Sequence, residues 1–97
     1  MLYWDEISSA ANEQLKQIRG LQQRKKREES GLFIVECTRA VEEALQSDWE
    51  LVCLVVSDRY KEIVRIEQLL QMRTPRSGRL LMVPDDLLHK LGDTQTP

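Results

Sequence analysis

At 97 residues the chain has room for one hydrophobic core and should bury well over half of the surface its unfolded form exposes. With 41% apolar and 31% charged residues it reads as a soluble globular domain, and no apolar run approaches the roughly 20 residues that a membrane helix needs. The net charge of −2 excludes a protein that coats nucleic acid indiscriminately, because affinity of that kind comes from a large excess of Lys and Arg.

The opening "MLYW" runs directly into Asp5 and Glu6, without the basic region and long apolar stretch of a signal peptide, so a cytoplasmic or similarly reducing compartment is expected. Cys37 and Cys53 are then expected as free thiols. Together with the single His89 they are too few and too dispersed for a zinc site, and no metal is expected.

In chain order, "NEQLKQIRGL" (residues 12–21) predicts a first helix, with Asn12 as N-cap, Glu13 in the first turn, and Leu15, Ile18 and Leu21 or Gln22 on one side. The following "QQRKKREES" (22–30) has good helix formers but no apolar residue. It suits either a solvated helical extension or a mobile basic loop, closed by Ser30 and Gly31. "LFIVE" (32–36) predicts a buried strand, and "TRAVEEALQS" (38–47) a helix capped by Thr38 with Ala40, Val41, Ala44 and Leu45 on its stripe. "ELVCLVVS" (50–57) is apolar without alternation, as a strand covered on both faces requires, and Cys53 within it reads as a small buried hydrophobe.

Residues 58–72 predict a helix that buries Ile63, Ile66, Leu69 and Leu70 and stops at the "RTPRSG" loop (73–78). "RLLMV" (79–83) predicts a third strand. "PDDLLHKL" (84–91) predicts a last helix, with Asp85 as cap and Leu87, Leu88 and Leu91 facing inward. Helices alternating with covered strands imply an α/β fold, a small three-layer α/β/α domain with a largely parallel sheet.

Catalytic apparatus is not legible. Gly20, Gly31, Gly78 and Gly92 are too scattered for a phosphate loop, and His89 falls at an exposed helical position. The basic stretch is more informative. Residues 16–27 hold Lys16, Arg19, Arg24, Lys25, Lys26 and Arg27 with no acidic residue among them, so an otherwise acidic chain concentrates its positive field in one place. Phosphates are the natural complement, since Lys offers a point charge and Arg a planar fork. Such contacts position a nucleic acid without reading its sequence. A second cluster, "ECTR" (36–39), sits in the turn into a helix: Arg39 could contact a phosphate or stack on a base with Glu36 orienting it, or the two could form a local ion pair that shapes the turn. The basic run also suits a protein-interaction module that docks an acidic partner or a catalytic subunit.

Taken together, "NEQLKQIRGLQQRKKREESGLFIVECTRAVEEAL" and the terminal "LLHKLGDTQTP" resemble the opening of the SpoU (TrmH-type, SPOUT class) RNA 2′-O-ribose methyltransferases. The positions that carry the resemblance are Asn12, Lys16, Lys25, Arg27, Phe33, Glu36 and Arg39. It implies a substrate-binding domain over residues 1–91, similar in fold to ribosomal proteins that bind kinked RNA. It further implies that residues 92–97 begin a linker to a catalytic domain absent from this chain, which would bind S-adenosylmethionine and form the dimer of a homodimeric parent. The implied ligand is structured RNA, ribosomal or transfer, held by Asn12, Lys16, Arg19, Arg24, Lys25, Lys26, Arg27, Glu36 and Arg39, with no membrane partner and no catalytic residue in this part. Where the family has glycine after the strand-end glutamate, this chain has Cys37, which either tolerates an ordinary conformation or crowds the approach of RNA.

Overall fold

Two of the apolar runs become the strands that organise the molecule. "CLVVS" forms Cys53–Ser57 and "RLLMV" forms Arg79–Val83, and the two pair in parallel, with Leu54 opposite Leu80 and Val56 opposite Met82. The computed structural model describes residues 3–72 and 78–92. Along the chain the elements are β1 (Asp5–Glu6), α1 (Glu13–Gly20), α2 (Arg24–Ser30), α3 (Thr38–Gln46), β2 (Cys53–Ser57), α4 (Ile63–Gln71), β3 (Arg79–Val83) and α5 (Asp85–Gly92). The sheet order is β1-β3-β2, parallel throughout.

Side chains alternate across a strand, so each strand serves two cores. On one face Leu81 and Val83, with Cys53 and Val55, pack against Leu15 of α1 and Leu87 and Leu91 of α5. On the other, Leu54, Val56, Leu80 and Met82 pack against Leu45 of α3 and Ile66 and Leu70 of α4. This is the expected α/β/α layering, and a strand buried on both faces explains why its sequence shows no alternation. Burial pushes the Cys53 thiol up to about 11, and the nearby Arg79 charge opposes that shift only in part. No helix among the described residues is long and apolar enough to cross a membrane.

Four local expectations are corrected. Residues 32–36 form no strand: they have no ladder partner among the described residues, and Phe33 is exposed instead of buried. An apolar run supplies strand propensity, but a strand exists only where a second backbone edge lies within hydrogen-bonding reach. Residues 32–36 pass beside β2 without laddering onto it, while the other edge of β3 is taken by Asp5–Glu6, where no strand is expected from sequence. Asp5 pairs with Leu81, Glu6 with Met82, and the Ile7 amide donates to the Met82 carbonyl at 2.9 Å. Trp4 anchors this edge through its indole N–H, 2.8 Å from Glu67 Oε2.

The remaining corrections concern helix starts. Thr38 is the first residue of α3 and not its cap. Cys37 holds that place, its carbonyl accepting from the Val41 amide at 3.0 Å, with no side-chain capping bond. The fourth helix begins at Ile63 and not at residue 58, because Ser57 Oγ accepts from the Arg59 amide at 3.0 Å and the chain turns before it coils. Asp85 opens α5 from inside. The Leu88 amide donates to the Pro84 carbonyl, while the Asp85 carboxylate accepts from Ser57 Oγ at 2.9 Å and ties α5 to β2. The "RTPRSG" loop falls outside the described residues except for Gly78.

Cys37 is the only described non-glycine residue at positive φ, with φ 69° and ψ 147°, a conformation that strains any residue bearing a Cβ. Cys37→Gly is therefore expected to raise stability by about 1 kcal/mol once the added unfolded-state entropy is deducted, or roughly 4–8 °C in Tm. Urea and thermal melts check this, and a lower midpoint would show that the strain is not real. The thiols should also differ in reactivity. At pH 8 iodoacetamide should label exposed Cys37 and spare Cys53, which becomes reactive only as the pH approaches about 11; peptide mass spectrometry reads the ratio. For the same reason the contribution of Cys53 to stability is complete below about pH 9, the ordinary thiol value, and is lost as the pH rises through 11.

Candidate nucleic-acid interface

The basic segment folds as two short helices set at a corner. Asn12 caps α1 as its sequence predicts, Oδ1 accepting from the amides of Gln14 at 2.9 Å and Leu15 at 3.3 Å. Leu15 and Ile18 seat α1 on the core, which leaves Lys16 and Arg19 exposed. Residues 22–30 settle the alternative between extension and loop in favour of a helix, α2, that contains no buried residue. Gly31 ends it in the left-handed conformation at φ 73°.

Two side chains hold this corner. Arg27 donates from Nη1 to the carbonyls of Leu21 at 2.9 Å and Gln22 at 3.0 Å, satisfying groups that the end of α1 would otherwise leave unpaired. Gln22 donates to the Leu91 carbonyl at 2.6 Å and ties the corner to α5. Asn12 and Arg27 therefore serve the backbone, while Lys16, Arg19, Arg24, Lys25 and Lys26 present charge to solvent.

The charge order of α2 runs against its own dipole. Its first turn holds Arg24, Lys25 and Lys26 and no acidic residue, where negative charge would be favoured, and Glu28 and Glu29 follow toward the C-terminus. Arg24 pairs with Glu28 at 2.9 Å and Lys25 with Glu29 at 4.0 Å, so acidic partners lie one turn beyond the basic run. With Arg24 and Lys25 side chains 83% and 84% exposed, such i,i+4 pairs are worth about 0.3–0.5 kcal/mol and yield readily to a stronger anion.

The second cluster does not form the local ion pair that was one of its two alternatives. Arg39, 93% exposed, lies 3.9 Å from Glu43 on the next turn of α3 and not against Glu36. Glu36 instead lines a groove of about 1370 Å³ that runs between residues 31–38 and β2. Lys16 and Lys26 line the same groove, so these three predicted residues converge, whereas Asn12, Arg19, Arg24, Lys25, Arg27 and Arg39 lie outside its described lining.

Three further residues at this groove were not among the candidate RNA-binding residues: Trp49, Arg79 and Phe33, the last named from the sequence only as carrying the family resemblance. The Phe33 and Trp49 rings meet edge to face, centroids 5.3 Å apart at 86°. Trp49 carried a legible signal, a tryptophan among the polar residues of "SDWE", while Phe33 was hidden in an apolar run. Arg79 donates to the Gln14 side-chain carbonyl and bridges the start of β3 to α1.

The family model described as the MRM3-like substrate binding domain matches residues 12–97. Two solved structures are similar: an rRNA methyltransferase from Sinorhizobium meliloti and the same organism's AdoMet-bound rRNA methyltransferase. Each is 28% identical with a TM-score of 0.71, and the match covers 90% of this chain and 31% of theirs. This chain thus corresponds to under a third of those proteins' length. No curated protein matches it. Because the family match takes in both basic helices, the groove and the two-faced sheet, the chain belongs to the MRM3-like substrate-binding domain family.

Proposed function

We propose that this domain captures structured RNA for a SpoU-type 2′-O-ribose methyltransferase, with ribosomal RNA as the first candidate and transfer RNA as the second. The observation that carries the proposal is the coincidence of that family membership with a basic surface, on α1 and α2, that contributes nothing to the core beyond α1 itself. Lys16, Arg19, Arg24, Lys25 and Lys26 engage phosphates. Glu36 and Arg39 contact a loop of the RNA from the turn into α3. Asn12 and Arg27 act indirectly, by holding the helices that carry these charges.

The methyl donor belongs to the part of the parent beyond this domain. S-adenosylmethionine supplies an electrophilic methyl group, and the task of this chain is to bind and orient the ribose-bearing strand. Gly20, Gly31 and Gly78 do not assemble a cofactor cradle: a Cβ on Gly31 would meet nothing within 4 Å, and Gly78 abuts the Leu51 backbone. A cytoplasmic parent, dimeric through its catalytic domain, completes the proposal.

Phosphate capture predicts a steep salt dependence. With about five phosphates neutralised on a single strand, log K should fall with log salt at a slope of roughly −3.5, and Lys25→Ala combined with Lys26→Ala should reduce the slope by about 1.4. Anisotropy titration of a fluorescein-labelled rRNA hairpin between 50 and 200 mM KCl, concentrations on the order used to resolve such slopes, reads both. Salt-independent binding, or none to rRNA and tRNA fragments alike, would refute the proposal.

A further inference from the structure

Phe33 and Trp49 are large aromatics that the fold does not bury. They are 57% and 54% exposed, and neither belongs to either core cluster. Their edge-to-face contact restrains both rings. Their backbones are fixed in matching ways. The Trp49 amide donates at 3.1 Å to Ser47 Oγ, which itself donates to the Ala44 carbonyl at the end of α3. On the other side the Leu32 amide donates at 3.2 Å to Ser30 Oγ, which donates at 2.8 Å to the carbonyl of Lys26. The Phe33 loop is therefore tied through one serine to a residue of the basic helix.

We propose that Phe33 and Trp49 form a stacking platform for one unpaired nucleobase of the bound RNA, seated in the groove that Lys16 and Lys26 also line. This rests on the RNA-binding role proposed above and specifies what the groove accepts. The chemistry of the lining favours a base over a run of backbone. Lys16, Lys26 and Arg79 supply donors and positive charge for the flanking phosphates, while Glu36 and Glu50 supply acceptors suited to the exocyclic amines and ring N–H groups of a base edge. A duplex has its bases already stacked and cannot use the rings, so the platform selects a loop or bulge over a helix.

The test uses the 97-residue chain with two probes, a fluorescein-labelled RNA hairpin carrying an adenine-rich loop and the matching loopless duplex. Trp49→Leu and Phe33→Leu keep apolar bulk and remove a stacking ring. Each should weaken hairpin binding about tenfold, leave the salt slope unchanged and barely alter duplex binding, while Trp49→Phe restores most of the affinity. In a Trp4→Phe background, hairpin binding should quench the remaining Trp49 emission, and the duplex should not. Hairpin affinity of the two leucine variants within twofold of the parent chain, with the salt dependence intact, would overturn the platform while leaving phosphate capture standing. The patch would then be a contact for the rest of the parent protein. Absence of salt-dependent hairpin binding by the unsubstituted chain would overturn both.

Discussion

Strand β3 is laddered on both sides and buried on both faces, and the remaining elements are placed by reference to it. Leu81, fully buried, faces α1 and α5, while Leu80 and Met82 face α3 and α4. Burying a Leu or Val side chain is worth about 1.5–3 kcal/mol, and a central parallel strand does so in two directions at once, which lets a small domain support two apolar clusters. Ser57, the last residue of β2, then locks the carboxyl end of the sheet to α5 by donating a hydrogen bond to the Asp85 carboxylate.

Helix α2 stands outside this scheme. It contributes no buried residue and its first-turn charges oppose its dipole, so core packing does not account for its formation and its two exposed i,i+4 pairs add little. Its supports are the guanidinium of Arg27, folded back from the middle of the helix onto α1, and the left-handed Gly31 at its end. Its exposed surface carries three cations in the first turn and two carboxylates in the next, with no apolar residue. The two similar solved structures extend well beyond the length that this chain matches.

Segment 31–38 shows how the backbone path shapes the groove. Its two ends sit at positive φ, Gly31 without strain and Cys37 with it. Between them the chain runs past β2 without pairing, and the space between forms the groove. A strand laddered onto β2 would bury its amides and narrow that space. The unpaired path leaves Phe33 beside Trp49 and Glu36 at the groove wall. Strain at Cys37 is thus located where the chain leaves the groove and enters α3.

Much of the architecture was determined by the sequence alone. Asn12 before a 3.6-residue apolar period specified the first helix. The leucines of "PDDLLHKL" specified the last, and two apolar runs of strand length specified β2 and β3, because these signals are local and each residue's neighbours in the chain are its neighbours in the element. The concentration of cations over residues 16–27 was legible for the same reason. Tertiary structure decided the rest. Asp5–Glu6, with no apolar pattern, became a strand because it ladders onto the edge of β3, and residues 32–36, with a strong pattern, did not because they pass β2 without laddering onto it. Arg27 proved to be a helix fastener, and Phe33 met Trp49 across sixteen residues of chain. Pairing and encounter of this kind depend on which groups the folded core brings together, and no local period encodes that.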